Sequence, residues 1–367
     1  MVEGWRRAAL WGMLAAKICG GWGVTWDIQW HVRIGRDSFW IPPHVLTYAA
    51  VAALVALSLR TLARETLLTR RGHSTPGSLR LFGLVGTRGT HLAWWGGAII
   101  VLAVPVDDLW HRLFGLDVTL WSPPHLLGLL GIQVNSVGCL LLAVESYPPG
   151  HLGRHLALLL GGTTLFGTFH LLLGTSILWA YQQGGLAFFL YPLLGSLFLT
   201  VALVPVARLS GSRWAPALTV ALAALIALVG GGVERAGFAL FEPVPAIEEA
   251  LAEDPSSTIA TAYRMARENG TPVVSYTGRP RSIAWAFLPA LVLSLADARR
   301  RPVLGSFAFA GAYLAIVSWS LAHMPALQPG LPRAPEILAG LVLVLAAGAL
   351  GGGLGRALGW RLAPRSA

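Results

Sequence analysis

Lysine is nearly absent from this 367-residue chain: Lys17 stands alone beside 26 arginines. Charge of either sign is scarce, since Asp, Glu, Lys and Arg together make up 12% of the residues, about half the ~25% usual in soluble domains. Acid is scarcer than base, 17 residues against 27, for a net charge of +10. Cysteine occurs twice, as Cys19 and Cys139, each inside an apolar run. Two isolated cysteines build neither a disulfide framework nor a zinc knuckle, and read as small buried hydrophobes. The low charge excludes a disordered chain. With 55% hydrophobic residues, it also excludes an ordinary soluble enzyme, because a soluble fold cannot hide that much apolar surface. No Gly-rich phosphate loop, nucleophile elbow or His-Glu-x-x-His occurs.

What is present is a series of long apolar runs. They predict an all-α polytopic membrane protein with about ten transmembrane helices, near 8–30, 43–63, 92–112, 125–146, 155–178, 185–207, 215–234, 283–297, 303–323 and 335–355. The N-terminal run is read as a retained first helix. With the N-terminus placed inside, 17 arginines fall on the inner side and nine on the outer. That bias satisfies the positive-inside rule and accounts for the basic charge without nucleic acid. The expected location is therefore the bacterial cytoplasmic membrane, with both termini cytoplasmic. The organisation reads as helical hairpins over 1–146, helices five to seven over 147–234, a small outer cap over 235–282 and helices eight to ten over 283–367. In the cap, Asp254 to Gly270 reads as a short capped helix.

A repeat carries the functional signal. The first outer loop runs Asp27, Trp30-His31, Gly35, Asp37, Trp40, Pro42-Pro43-His44. The second runs Asp107-Asp108, Trp110-His111, Gly115, Asp117, Trp121, Pro123-Pro124-His125, with one residue inserted. Helices one–two and three–four thus read as a duplicated hairpin, with both motifs on the outer side. Asp27 and His31 lie four apart and share a helical face. His44 opens the next helix behind Pro-Pro, which suits a first turn. Two imidazoles and a carboxylate at the membrane edge suit copper, iron or zinc. The second set is His111, His125 and either Asp107, which keeps the spacing to His111, or Asp108, which keeps the spacing to His125. Asp37 and Asp117 are equally turn residues or groups that orient an imidazole. His170 and His323 are further ligands or interhelical hydrogen-bonders. Lys17 reads as a snorkelling or paired cation, Gln133 and Asn135 as interhelical hydrogen-bonders. Trp26, Trp30, Trp40, Trp110 and Trp121 read as an aromatic belt at the headgroups.

The first motif resembles the metal-binding region of the C subunit of particulate methane and ammonia monooxygenases, the copper membrane monooxygenases. Asp27-x3-His31, Arg36-Asp37 and Pro42-Pro43-His44 carry the resemblance; the second copy has Leu116-Asp117 in place of Arg-Asp. The resemblance implies a copper site on Asp27, His31 and His44 and oxygen-dependent hydroxylation of a small, inert substrate. The expectation is an oxygen-activating membrane metalloenzyme, with copper first and iron or zinc as alternatives. Its partners are the lipid bilayer, with room for an extracytoplasmic copper or electron-transfer chain and for a homo-oligomer. Two other functions stay open: metal acquisition or transport without catalysis, and haem binding. One shared dinuclear site and two separate sites are equally compatible with the spacing.

Overall fold

The structure is a computed structural model that describes residues 2–34, 38–73, 75–114, 120–244, 246–256 and 280–363. Among these residues twelve helices follow one another: α1 (Val2–Ile34), α2 (Pro42–Arg70), α3 (Arg88–Phe114), α4 (Pro123–Ser146), α5 (Leu152–Gln183), α6 (Leu190–Ser210), α7 (Ala215–Phe241), α8 (Ala246–Glu253), α9 (Pro280–Trp285), α10 (Phe287–Leu295), α11 (Pro302–Ala322) and α12 (Ala334–Leu362). A 3-10 turn, Gly185–Phe189, leads directly into α6. Eight of these segments are long and apolar enough to cross a membrane: α2 to α5, the Gly185–Ser210 segment ending in α6, α7, α11 and α12. The fold is that of an all-α polytopic protein.

Two expected spans differ from those eight. α1 is the longest helix, at 33 residues, but Lys17 and its run of Gly and Trp hold its hydropathy down. The segment expected over 283–297 is interrupted. Its apolar part, Ser282–Leu295, reaches only about 21 Å at 1.5 Å per residue, against a hydrocarbon core of about 30 Å. The break falls at Ala286, and Pro289 explains it: its ring nitrogen cannot donate to the carbonyl four residues back. α7 runs seven residues beyond its expected end at 234, to Phe241, because Phe238 is buried against α1. Residues 257–279, about half of the expected cap, lie outside the described residues; of its capped helix, the described part has Asp254 Oδ1 accepting from Ser256 N and Oγ. The loop between α2 and α3 holds an unexpected antiparallel hairpin, β1 (Leu79–Leu81) and β2 (Leu84–Gly86). It turns on Phe82 and Gly83, both at positive φ, the backbone of a two-residue hairpin turn.

The first four helices close into a ring, α1 on α2, α2 on α3, α3 on α4 and α4 on α1. Within α1–α2, Gly20 faces Ala50 and Gly23 faces Thr47. Within α3–α4, Gly131 faces Ile100 and Gly128 faces Ala103. The remaining spans gather round α6, which packs on α5, α7, α11 and α12. One continuous core, from Leu10 and Met13 through Phe166, Tyr191 and Phe309 to Leu362, joins the two halves.

The ring has two chemically different ends. At one, called the Arg end, Arg6 Nε donates to Glu65 Oε1 at 2.5 Å. Thr87 N and Thr90 Oγ1 donate to Glu65 Oε2 at 2.8 and 2.9 Å. Glu145 accepts from Thr87 Oγ1 at 2.7 Å and from Gly89 N at 3.1 Å. Two carboxylates thus take up N–H groups at the start of α3 that have no partner within the helix, and its dipole favours their charge. At the opposite end, called the His end, α1 passes to α2 and α3 to α4 through the two motif loops.

Candidate metal centres

At the His end each hairpin gathers one aspartate and two histidines. On α1, Asp27 and His31 lie one turn apart, and Asp27 Oδ1 is 3.4 Å from His31 Nδ1. His44, in the first turn of α2, brings Nε2 to 3.1 Å from the same Oδ1. The two imidazole rings stand 6.3 Å apart. On α3, Asp107 Oδ2 is 3.6 Å from His111 Nε2, and Asp107 Oδ1 is 3.5 Å from His125 Nε2 at the start of α4. One ligand atom from each of Asp107, His111 and His125 fits within 4.8 Å of the others. Each aspartate bridges the two histidines of its own hairpin.

The choice between Asp107 and Asp108 falls to Asp107. The Asp108 carboxylate turns away and pairs with Arg112 at 2.7 Å, one turn on. Asp37 and Asp117 lie outside the described residues. His170 belongs to another place: it is buried in the second half of the bundle, stacked on Phe166, with Nε2 3.5 Å from Tyr191 Oη. His323 is exposed, stacks on Trp319 and donates through Nδ1 to its carbonyl.

The proton positions in the first cluster follow from its neighbours. His31 Nδ1 is 2.9 Å from the Asp27 carbonyl oxygen, and His44 Nδ1 is 3.0 Å from that of Ser38. A carbonyl only accepts, so Nδ1 carries the hydrogen in both rings, and in the neutral rings Nε2 carries the lone pair. His44 Nε2 and Asp27 Oδ1 then face each other at 3.1 Å as two acceptors. Asp27 Oδ1 is buried and has no hydrogen-bond partner, and the same holds for Asp107 Oδ1. An unsatisfied buried polar atom costs about 1–3 kcal/mol, more when charged. A cation shared between carboxylate and imidazole removes that cost, and so does protonation of the ring. Two imidazole nitrogens and a carboxylate oxygen fit copper, iron or zinc.

The surrounding aromatics divide. Trp40 is 74% exposed, as a belt residue should be, but Trp26 and Trp30 are only 5% and 3% exposed. They are packing residues: both meet Phe238 of α7. Arg33 stacks over the same Phe238 and pairs with Glu242 at 2.8 Å, which ties α1 to α7 beside the first cluster. Trp121 Nε1 donates to Leu172 O at 2.8 Å and ties the second loop to α5.

Below the clusters, Lys17 of α1 donates to Ile132 O at 3.2 Å, Asn135 Oδ1 at 3.4 Å and Ser136 Oγ, all on α4. Asn135 also donates to Ala93 O at 2.8 Å, so it links three helices. The carboxylate network of the Arg end had no place in the sequence reading. Its signal was a lone acid near the end of each apolar helix, Glu65 beside Arg64 in α2 and Glu145 at the end of α4.

Comparison with family models, with curated proteins and with solved structures finds no match to this chain.

Proposed function

We propose that the chain is a membrane metalloprotein with two separate mononuclear centres, one per hairpin, held by Asp27, His31 and His44 and by Asp107, His111 and His125. The observation that carries this reading is the buried Asp Oδ1 without a hydrogen bond in both clusters, with a histidine Nε2 facing each at 3.1 and 3.5 Å. The common seating supports an origin of the hairpins by duplication. Adding 80 to the α1 positions and 81 to the α2 positions turns Gly20–Ala50 into Ile100–Gly131 and Gly23–Thr47 into Ala103–Gly128, the pairs that meet in α3–α4. The same offsets carry Asp27, His31 and His44 onto Asp107, His111 and His125.

The function we assign is oxygen-dependent oxidation of a small apolar substrate that reaches the site from lipid, as the resemblance to the copper membrane monooxygenases implies. Copper is the metal favoured by that resemblance, and iron has the same donor preference. When bound, such an ion supplies the redox chemistry of oxygen activation. The chain's own residues hold it: the Asp27 and Ser38 carbonyls orient the two imidazoles of the first centre, as outer partners do in other metal sites. The arginine bias supports an outer His end with both termini inside. In this reading α1 and the short Ser282–Leu295 segment complete a set of ten membrane segments.

Metal transport is the weaker reading. A cation moving from the clusters along the axis of the four-helix ring meets the Lys17 ammonium, and like charges at short range repel. Haem is weaker still, because Asp27 contacts both rings where a porphyrin would have to stand. Metal content of the purified full-length chain tests the reading. Two copper or iron ions per chain, one lost in His31→Ala and one in His125→Ala, support it. Zinc alone, or no metal after reconstitution with copper and with iron, overturns the oxygen chemistry. Equal loss of both ions in either variant overturns the separate centres.

A further inference from the structure

Away from the clusters, the Arg end carries a groove that the proposed function leaves unused. It has a volume of about 470 Å³ and is lined by Val303 at the start of α11 and by Gly353, Arg356, Ala357, Trp360 and Arg361 of α12. The α12 residues recur at i, i+3, i+4, i+7 and i+8, which is one helical face. Arg208 of α6 joins the rim, its guanidinium 4.2 Å from the Trp360 ring. Arg88 donates to the Arg361 carbonyl at 2.8 Å, which places the groove beside the start of α3. The described carboxylates of this end are engaged elsewhere: Glu65 holds Arg6, Glu145 holds Thr87 and Gly89, and Asp297 holds Arg299. Among the described residues, the guanidiniums of Arg356 and Arg361 therefore stand over the groove with no acidic partner.

Below the rim the surface turns apolar. Leu350 and Leu354 of α12 and Val303 and Leu304 of α11 are 57%, 48%, 43% and 57% exposed. No atom lies within 4 Å of where a Cβ on Gly353 would stand, so the groove is open there. A cationic rim with an interfacial tryptophan above an open apolar track matches one kind of molecule, an amphiphile whose head is an anion. We propose that this groove binds the phosphate diester of an anionic phospholipid, with Arg356 and Arg361 on the phosphate, Trp360 at the glycerol level and an acyl chain along Val303, Leu304, Leu350 and Leu354. Basic pockets between membrane helices take anionic headgroups by the same charge matching, and the paired donors of a guanidinium suit phosphate oxygens.

The experiment measures binding of phosphatidylglycerol, phosphatidylcholine and inorganic phosphate to the full-length chain in detergent by native mass spectrometry. Saturable retention of phosphatidylglycerol, well above that of phosphatidylcholine, is expected. Arg356→Gln combined with Arg361→Gln weakens it by about thirtyfold, the loss expected for two arginines near a lipid surface. Val303→Trp keeps both charges but fills the groove, and is expected to weaken binding as well; Arg213→Gln, an arginine at the same end stacked on Trp214, leaves it unchanged. Equal retention of the two lipids overturns the proposal. So does retention that survives both the double variant and Val303→Trp. Competition by inorganic phosphate at the same concentration as the lipid makes the groove a free-anion site and overturns the lipid assignment.

Discussion

Glu65 and Glu145 at one end of the four-helix ring, and Asp27 and Asp107 at the other, are all carboxylates at the edge of apolar helices. Their surroundings are opposite. Glu65 takes three donors and Glu145 two, and the Glu65 partner, Arg6, is only 4% exposed. Asp27 and Asp107 each keep one buried oxygen without a hydrogen bond, although histidine nitrogens surround it. A carboxylate whose donors all come from its own protein holds a fold together. One set between two imidazoles, with a buried oxygen that accepts no hydrogen bond, is suited to a cation. The same residue class therefore acts as a fastener at the Arg end and, in the proposed function, as a ligand at the His end.

The strongest way to break this contrast is to remove one group at each end. Glu65→Ala strands Arg6 in the interior, and loss of one partner of a buried pair costs about 3–5 kcal/mol. Chemical denaturation in detergent should show that loss, while any chain that still folds keeps its full metal content. Asp27→Asn and Asp107→Asn should behave the other way round. Each loses one metal ion per chain, and the metal-free proteins unfold within about 0.5 kcal/mol of the metal-free parent, the range of substitutions that break no packed interaction. A large destabilisation of metal-free Asp107→Asn would show that the His end is also a fastener.

Acidity separates the ends further. Imidazole must be neutral to ligate, so protons compete with the proposed metal for the same nitrogens. Equilibrium dialysis between pH 7.5 and 5 should show both proposed ions leaving. The smallest effect lies in the turn before α11. Arg299, hydrogen-bonded to Asp297 at 2.7 Å, holds the Asp297 carboxyl below its ordinary range. That contribution is complete above about pH 4 and disappears as pH falls through the lowered value. Asp297→Asn tolerates the same positive φ and should remove this acid dependence at a cost below about 1 kcal/mol. Unfolding midpoints of the two proteins at pH 7 and pH 3 would check it.

Much of the fold was legible because lipid imposes long apolar runs, and eight of them stand out as spans. The convergence of Asp27, His31 and His44 was legible for a local reason: i, i+4 spacing on one helix and Pro-Pro ahead of the third residue. The choice of Asp107 over Asp108 was written in the sequence as well, in Arg112 four residues after Asp108, an ordinary helical ion-pair spacing. The break at Ala286 was signalled by Pro289. The burial of Trp26 and Trp30 was not legible, because it depends on Phe238 arriving from a helix about two hundred residues later. Nor was the β-hairpin, since Phe82 stands where such turns favour Asn, Asp or Gly.

If the two clusters hold metal as proposed, Lys17 bears on their redox behaviour. It lies ten residues before Asp27 on α1, and Ser136, which it contacts on α4, lies eleven residues after His125. At 1.5 Å per residue the ammonium therefore stands about 15 Å beneath each centre. A unit charge at that distance is worth about 1 kcal/mol at an effective dielectric of 20. In that reading one cation gives both centres nearly the same electrostatic reference and tilts a bound ion at either toward its lower charge without touching it.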